Sequence, residues 1–171
     1  FDSLKSLLHS AYDRLDYLHQ HKGEISGIRT GFADLDTLTT GLQRSDLVLV
    51  AARPSVGKTS LALNFAEHAA VNEGKVVGVF SLEMSKIEIV NRMLSAEAGI
   101  DSERMKTGRF DDRDWRRLGD ALGRLGDAPL FIDDTPALSP TDLRARVRRL
   151  QRDLKRDEKE LGLIVIDYLQ L

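Results

Sequence analysis

Leu47-Val48-Leu49-Val50-Ala51-Ala52-Arg53-Pro54-Ser55-Val56-Gly57-Lys58-Thr59 is the stretch on which the reading of this chain turns. Its first five residues form a continuous apolar run of strand length, and a helix is expected from Lys58 to about Glu73. Between them lies a turn ending in Gly-Lys-Thr. A loop of this kind aims several backbone N–H groups at one spot, and the helix dipole adds positive potential there. Gly57 permits the close backbone approach that a phosphate requires. Lys58 can neutralise phosphate oxygens, and the Thr59 hydroxyl can ligate Mg²⁺. Residues 55–60 (Ser55, Val56, Gly57, Lys58, Thr59 and Ser60) are therefore the candidate phosphate cradle. Ala52 stands where the usual pattern has its first glycine, which leaves the mechanism intact because the later residues supply most of the cradle.

Outward from that stretch the chain alternates strand and helix. Apolar strand candidates lie at 75–82, 130–132 and 163–166. Ser85-Lys86-Ile87-Glu88 has the form of a capping box opening a helix. Ser139-Pro140-Thr141-Asp142 opens another, with Ser at the cap, Pro at the first helical position, and an apolar stripe of Leu143, Val147, Leu150 and Leu154. Strands apolar on both faces, separated by helices, imply a parallel sheet covered on both sides and an α/β fold. Ahead of this unit, residues 1 to about 20 read as an amphipathic helix whose stripe is Leu4, Leu7, Leu8, Ala11, Leu15 and Leu18. That stripe packs either on its own domain or on a neighbouring subunit.

Two acids fall where strands meet the ligand edge of such a sheet. Asp167 closes the last strand and matches a metal-holding aspartate; the alternative is an ordinary turn-capping Asp. Glu83 follows the second strand, where a carboxylate could take a proton from an attacking water. A glutamate stabilised by the dipole of the Ser85-capped helix explains it as well. Asp133 and Asp134 end the third strand and either face the site or cap the turn before Thr135-Pro136. The run Arg144, Arg146, Arg148, Arg149, Arg152, Lys155 and Arg156 is interleaved with Asp142, Asp153 and Asp157, which favours an ion-paired solvated face over a nucleic-acid patch.

Composition bounds the rest. The 171 residues carry Lys+Arg 25 and Asp+Glu 27 for a net charge of -2, which excludes a strongly basic DNA-coating protein but not a ring with positive charge on its inner surface. The absence of cysteine excludes a disulfide scaffold and a thiolate metal site. The 4 histidines show no metal-ligand spacing. No apolar run reaches the roughly 20 residues that span a bilayer. With no signal-peptide pattern at its start, the chain is expected in the cytoplasm.

Taken together, the motifs resemble those of the DnaB family of bacterial replicative DNA helicases. Thr30-Gly31-Phe32-Ala33-Asp34-Leu35-Asp36 and Gly41-Leu42-Gln43-Arg44-Ser45-Asp46-Leu47 are similar to the start of its motor domains. The loop from Ala51 to Thr59 looks like its phosphate-loop variant, Ala52 included. Ser81-Leu82-Glu83-Met84-Ser85, Asp133-Asp134-Thr135-Pro136 and Ile166-Asp167-Tyr168-Leu169-Gln170-Leu171 match as well.

The resemblance covers nearly the whole chain. It implies a RecA-like P-loop NTPase with ATP and Mg²⁺ as cofactors, Lys58 and Glu83 as catalytic residues, and Thr59 and Asp167 at the metal. Residues 1–22 would be a linker helix docking on the adjacent subunit of a homohexamer, and residues 23–171 the N-terminal portion of the ATPase domain. The ring would encircle single-stranded DNA and move 5′ to 3′, with primase and a helicase loader as partners. A longer protein is implied, because such sheets place a later strand between the phosphate-loop strand and the Asp167 strand. Without that strand the sheet would have a gap with unpaired backbone groups. A recombinase-like ATPase of the same fold and a non-catalytic nucleotide-binding fragment are the alternatives.

Overall fold

A computed structural model of the protein describes residues 3–168; Leu169, Gln170 and Leu171 of the last motif lie outside the described residues. Helix α1 (Leu4–Gln20) is capped by the Ser3 side chain, which accepts from the Ser6 N–H. It buries none of its residues, and Leu4, Leu7 and Leu15 are 71%, 53% and 64% exposed. The apolar stripe read from the sequence therefore does not pack on its own domain. The short helix α2 (Ala33–Thr39) is tied back by buried Asp36, whose carboxylate accepts from the Thr30 N–H and hydroxyl, both at 2.7 Å.

The sheet is built from β1 (Val76–Ser81), β2 (Leu130–Asp133) and β3 (Leu161–Asp167), all parallel, in the order β2-β1-β3. Every residue of β1 is buried, as expected of a central strand covered on both faces. Val77 and Val79 face one layer, made with α3 (Lys58–Glu67) and α4 (Lys86–Ala98). There they join Leu63, Ala66, Ile89 and Met93 in the main core. Helix α6 (Asp112–Gly126) packs on α4 and carries Leu118 and Ala121 into a second cluster with Ala98 and Ile100. A short helix α5 (Ser102–Thr107) connects α4 to α6.

The opposite face of the sheet carries α7 (Pro140–Arg156). Gly78 sits beneath Leu150 of that helix, where an added Cβ would come within 3.3 Å of Leu150 Cδ2; the missing side chain lets α7 approach closely. Side chains alternate along a strand, so Phe131 and Ile164 lie on this face too. They remain 44% and 38% exposed.

Three features differ from the sequence expectations. The apolar run at 47–51 is not a strand: Leu47, Val48 and Leu49 are 82%, 54% and 66% exposed. A strand exists only by pairing with a neighbour about 4.8 Å away. Among the described residues none pairs with this run, and β3 pairs only with β1. The helix expected to reach Glu73 is regular only to Glu67 and continues as a wider π-helical turn, His68–Asn72. That turn leaves the Ala69 carbonyl free to accept from the Lys75 N–H at 2.9 Å. Helices α5 and α6 have no counterpart in the sequence reading, although Asp111 and Asp114 form a reciprocal capping box at the start of α6.

Candidate nucleotide site

The site grows from the C-terminal edge of the sheet. In the parallel register Ser81, the last residue of β1, lies opposite Asp167, the last residue of β3. Loops leaving these two strands are thus delivered to one place. Asp167 is 6% exposed, an unusual burial for a carboxylate, and it is fully partnered. Its Oδ2 accepts from the Thr59 hydroxyl at 2.6 Å, and the Lys58 ammonium lies 3.6 Å from Oδ1. The Lys58 Nζ also sits 4.5 Å from the centre of the Tyr168 ring, a cation–π contact. Three of the residues singled out from sequence, with Thr59 and Asp167 108 positions apart, therefore meet in space.

The loop before them holds two residues in the left-handed region. Gly57 has φ 100° and stands immediately before α3 as its N-cap, a left-handed position natural to glycine. Nothing lies within 4 Å of where a Gly57 Cβ would be, so the glycine serves backbone conformation and keeps space open in front of the helix. Ser55, at φ 64°, is also left-handed. No side chain caps the first turn of α3, so its first N–H groups remain available to an anion. Ser55, Val56, Gly57 and Ser60 are exposed, while Lys58 and Thr59 are half-buried against Asp167.

A magnesium–nucleotide pair fits the residues present. Mg²⁺ takes oxygen ligands and keeps several waters, and the Thr59 hydroxyl and the Asp167 carboxylate place two such oxygens 2.6 Å apart. Lys58 lies beside them, where its ammonium could meet a phosphate oxygen.

Glu83 emerges two residues beyond β1 on the same edge and is solvent-exposed. The helix that follows is capped without it: Ser85 and Glu88 form the reciprocal capping box, with the Ser85 N–H donating to Glu88 at 2.9 Å. Asp133 and Asp134, in contrast, are engaged locally. Asp133 accepts from the Thr135 N–H at 3.0 Å, the Thr135 hydroxyl at 2.6 Å and the Arg146 guanidinium at 2.7 Å. Burial works against its ionisation, but the Thr135 and Arg146 donors outweigh that and hold its pKa below the ordinary value. Asp134 accepts from the Lys86 N–H at 3.0 Å with the Lys86 ammonium at 3.4 Å, and these likewise lower its pKa. Turn capping, the second of the two readings left open, accounts for Asp133, whereas Asp134 is held by the first residue of α4.

Sequence reasoning missed the Tyr168 ring beneath Lys58 and the Arg146–Asp133 pair. An aromatic residue directly after the strand-end aspartate was the available signal for the first; the second joins α7 to β2 and had none.

With this geometry in view, comparison with known proteins is decisive. The sequence model of the DnaB-like helicase C terminal domain matches residues 27–171. The chain belongs to that family. It is 49% identical over its full length to the replicative DNA helicase DnaB of Geobacillus stearothermophilus and 46% identical to the replicative DNA helicase DnaC of Bacillus subtilis, spanning 37% of each. A separately solved ATPase domain superposes with a TM-score of 0.87 at 31% identity, covering 99% of this chain and 58% of that one. A DnaB-like replicative helicase, solved in a study of its interactions with primase, superposes at 0.82 and 31% identity, covering 98% of this chain and 39% of that one. Membership of the DnaB-like family places the chain among nucleotide-binding helicase domains with a RecA-like α/β fold. Among the described residues no helix is long and apolar enough to cross a membrane.

Proposed function

We propose that this chain is the nucleotide-binding portion of a replicative DNA helicase motor, which hydrolyses ATP to move along single-stranded DNA and unwind duplex. The meeting of Lys58, Thr59 and Asp167 at the end of β3, in a chain of the DnaB-like family, is the observation that carries this reading. Bound Mg²⁺ would draw charge from the terminal phosphates. The chain's own residues do the rest. Backbone N–H groups of residues 55–60 cradle the phosphates, and Lys58 offsets the charge that builds up during transfer. The Thr59 hydroxyl and Asp167 hold the metal. Glu83 stands on the same edge, uncommitted to its neighbouring helix, and takes the proton from the attacking water.

Residues 1–22 act as a linker helix. The exposed stripe of α1 supports docking on an adjacent subunit of a homohexameric ring, with the ATPase portion beginning at residue 23. Single-stranded DNA, primase and a helicase loader are the partners proposed for the whole protein, acting in the cytoplasm. Family membership favours a helicase over a recombinase; hexameric rings rather than filaments on DNA would distinguish them.

The test is Mg-ATP hydrolysis by the full-length protein, with and without single-stranded DNA. DNA-stimulated turnover is expected, abolished by Lys58→Ala. Glu83→Gln should keep nucleotide binding and lose hydrolysis. Unchanged turnover in Glu83→Gln would remove Glu83 from the base role.

A further inference from the structure

Glu83 is exposed, and among the described residues neither a hydrogen bond nor an ion pair holds its carboxylate. Its place on the sheet edge is therefore set by the segment that carries it, residues 82–85, which is neither strand nor helix. Three backbone donors tie that segment down. Upstream, the Leu82 N–H donates to the Asp167 carbonyl at 2.8 Å, extending the contact of β1 with β3 past the end of the strand. Across Glu83 itself, the Met84 N–H donates at 3.1 Å to the hydroxyl of Ser81, a residue only 2% exposed. Downstream, the Lys86 N–H donates to the Asp134 carboxylate at 3.0 Å.

The first two bonds belong to the sheet edge that Asp167 closes, whereas the third reaches over from the end of β2. It meets a part of α4 that little else holds. Ser85, Lys86, Ile87 and Glu88 are all exposed, and Ile89 is the first residue of the helix to enter the core. The capping box of Ser85 and Glu88 is internal to the helix end and fastens it to no other element. Asp134 sits on a braced support, because Asp133 beside it is held by Thr135 and by Arg146 of α7. Helix formation does not call for this bond, since water can satisfy an N–H in the first turn. Nor does stability: the Lys86 and Asp134 side chains are 61% and 26% exposed, and so open an ion pair contributes little. What the bond does fix is the direction in which the chain leaves Glu83.

We propose that Asp134 is a positioning residue for Glu83, holding the segment 82–85 so that the Glu83 carboxylate meets the attacking water. This rests on the reading of Glu83 as the base. A base must stand within hydrogen-bond reach of the proton it takes, and a misplacement of about 1 Å can cost about a hundredfold in rate. The acting element is the bond to the Lys86 N–H rather than the negative charge. Asparagine, which keeps an acceptor oxygen in the same place, should therefore serve nearly as well.

The test is single-turnover hydrolysis of Mg-ATP by the full-length protein on single-stranded DNA. Asp134→Ala should slow the hydrolytic step by about tenfold or more. Its affinity for a fluorescent ATP analogue should stay within about twofold of the parent, and its melting temperature within a few degrees. Asp134→Asn should return the rate to within about threefold of the parent. A rate for Asp134→Ala within about twofold of the parent would overturn the proposal. So would an Asp134→Asn variant as slow as Asp134→Ala, which would assign the effect to charge. Nucleotide affinity or thermal stability falling in step with the rate would overturn it too, leaving Asp134 a structural contact. Glu83→Gln measured beside them separates the two readings. If it loses hydrolysis while Asp134→Ala keeps it, positioning by Asp134 fails alone. If Glu83→Gln keeps hydrolysis, the base reading fails and the proposal with it.

Discussion

Two apolar segments of similar composition meet opposite fates in this molecule. Leu161–Asp167 pairs along β1 and ends on a buried, fully partnered aspartate. Among the described residues none pairs with 47–51, whose side chains stand in solvent. Hydrophobicity does not separate the two; a neighbour does. A strand's backbone groups must be satisfied by an adjacent strand, and its side chains need a layer above and below. The consequence for the site is direct. Asp167 is fixed by the sheet, whereas the loop at 52–57 is held from one side only, through α3 and the contacts of Lys58 and Thr59 with Asp167.

That joint between the ordered strand and the unpaired segment is where the largest effect is expected. Asp167→Asn keeps the shape of the side chain but removes its charge, so it should lower ATP hydrolysis in the full-length protein by about a hundredfold or more. Thermal stability should change far less than activity. An equal loss of both would mean that Asp167 serves mainly to anchor the loop.

Stability measurements on the 171-residue chain sharpen the same contrast. Leu163 of β3 packs against the main core. Leu163→Ala should cost about 2 kcal/mol or more in urea unfolding. Leu49→Ala should lie within about 0.5 kcal/mol of the parent. Hydrogen exchange should agree, with slow amides across 77–80 and 163–166 and unprotected amides at 48–50. Comparable costs for the two substitutions would break the comparison by showing that the run is buried in solution.

These differences also mark what was legible in the sequence. Strands β1, β2 and β3 announced themselves as apolar runs, and Ser85 and Ser139 marked the starts of α4 and α7 by local capping chemistry. The convergence of Lys58, Thr59 and Asp167 followed from a motif plus a sheet edge. Other features depended on information that no local pattern holds. Whether 47–51 pairs depends on a neighbouring strand, not on its own residues. Whether charges on α7 pair is decided by what packs nearby: Arg146 meets Asp133 of β2, a contact that the helix's own sequence does not hold. Helix α6 is hard to see in the sequence because its inward-facing residues, Leu118, Ala121 and Leu125, are sparse among charges and glycines, although their spacing is helical.

The closed layer has its own weak point, which gives a smaller, pH-dependent effect. Glu67 of α3 is pushed up to about 7 by burial and by the neighbouring Glu97 carboxyl, despite Arg124 nearby. The groups facing it include Asn64 and His68 of its own segment, Glu97 of α4, Arg124 of α6 and Thr30 of the preceding loop. Arg124 is committed to Glu97 at 2.6 Å. Because the folded-state pKa is raised, the folded chain holds a proton that the unfolded chain has lost between about pH 4.5 and 7. Stability from this group is therefore present at low pH and lost as pH rises through that window. Glu67→Gln should raise the melting temperature at pH 8 and leave it nearly unchanged at about pH 4.5. An identical shift at both values would show that ionisation of Glu67 carries no cost.

The smallest expected effect tests the independence of the unpaired segment most closely. Just before the apolar run, Arg44 forms an ion pair with Glu160, which directly precedes β3. The pair bridges the two segments, yet its side chains are 86% and 77% exposed. Water and salt screen such a contact, and ordering two long side chains offsets most of its attraction. Arg44→Gln should therefore change unfolding free energy by no more than about 0.5 kcal/mol, a difference that high salt erases. A cost well above about 1 kcal/mol that persists at high salt would mean that the segment is docked against β3 by more than this contact. The phosphate loop would then be held from both sides, and the contrast between the two segments would belong to their hydrogen bonding rather than to their attachment.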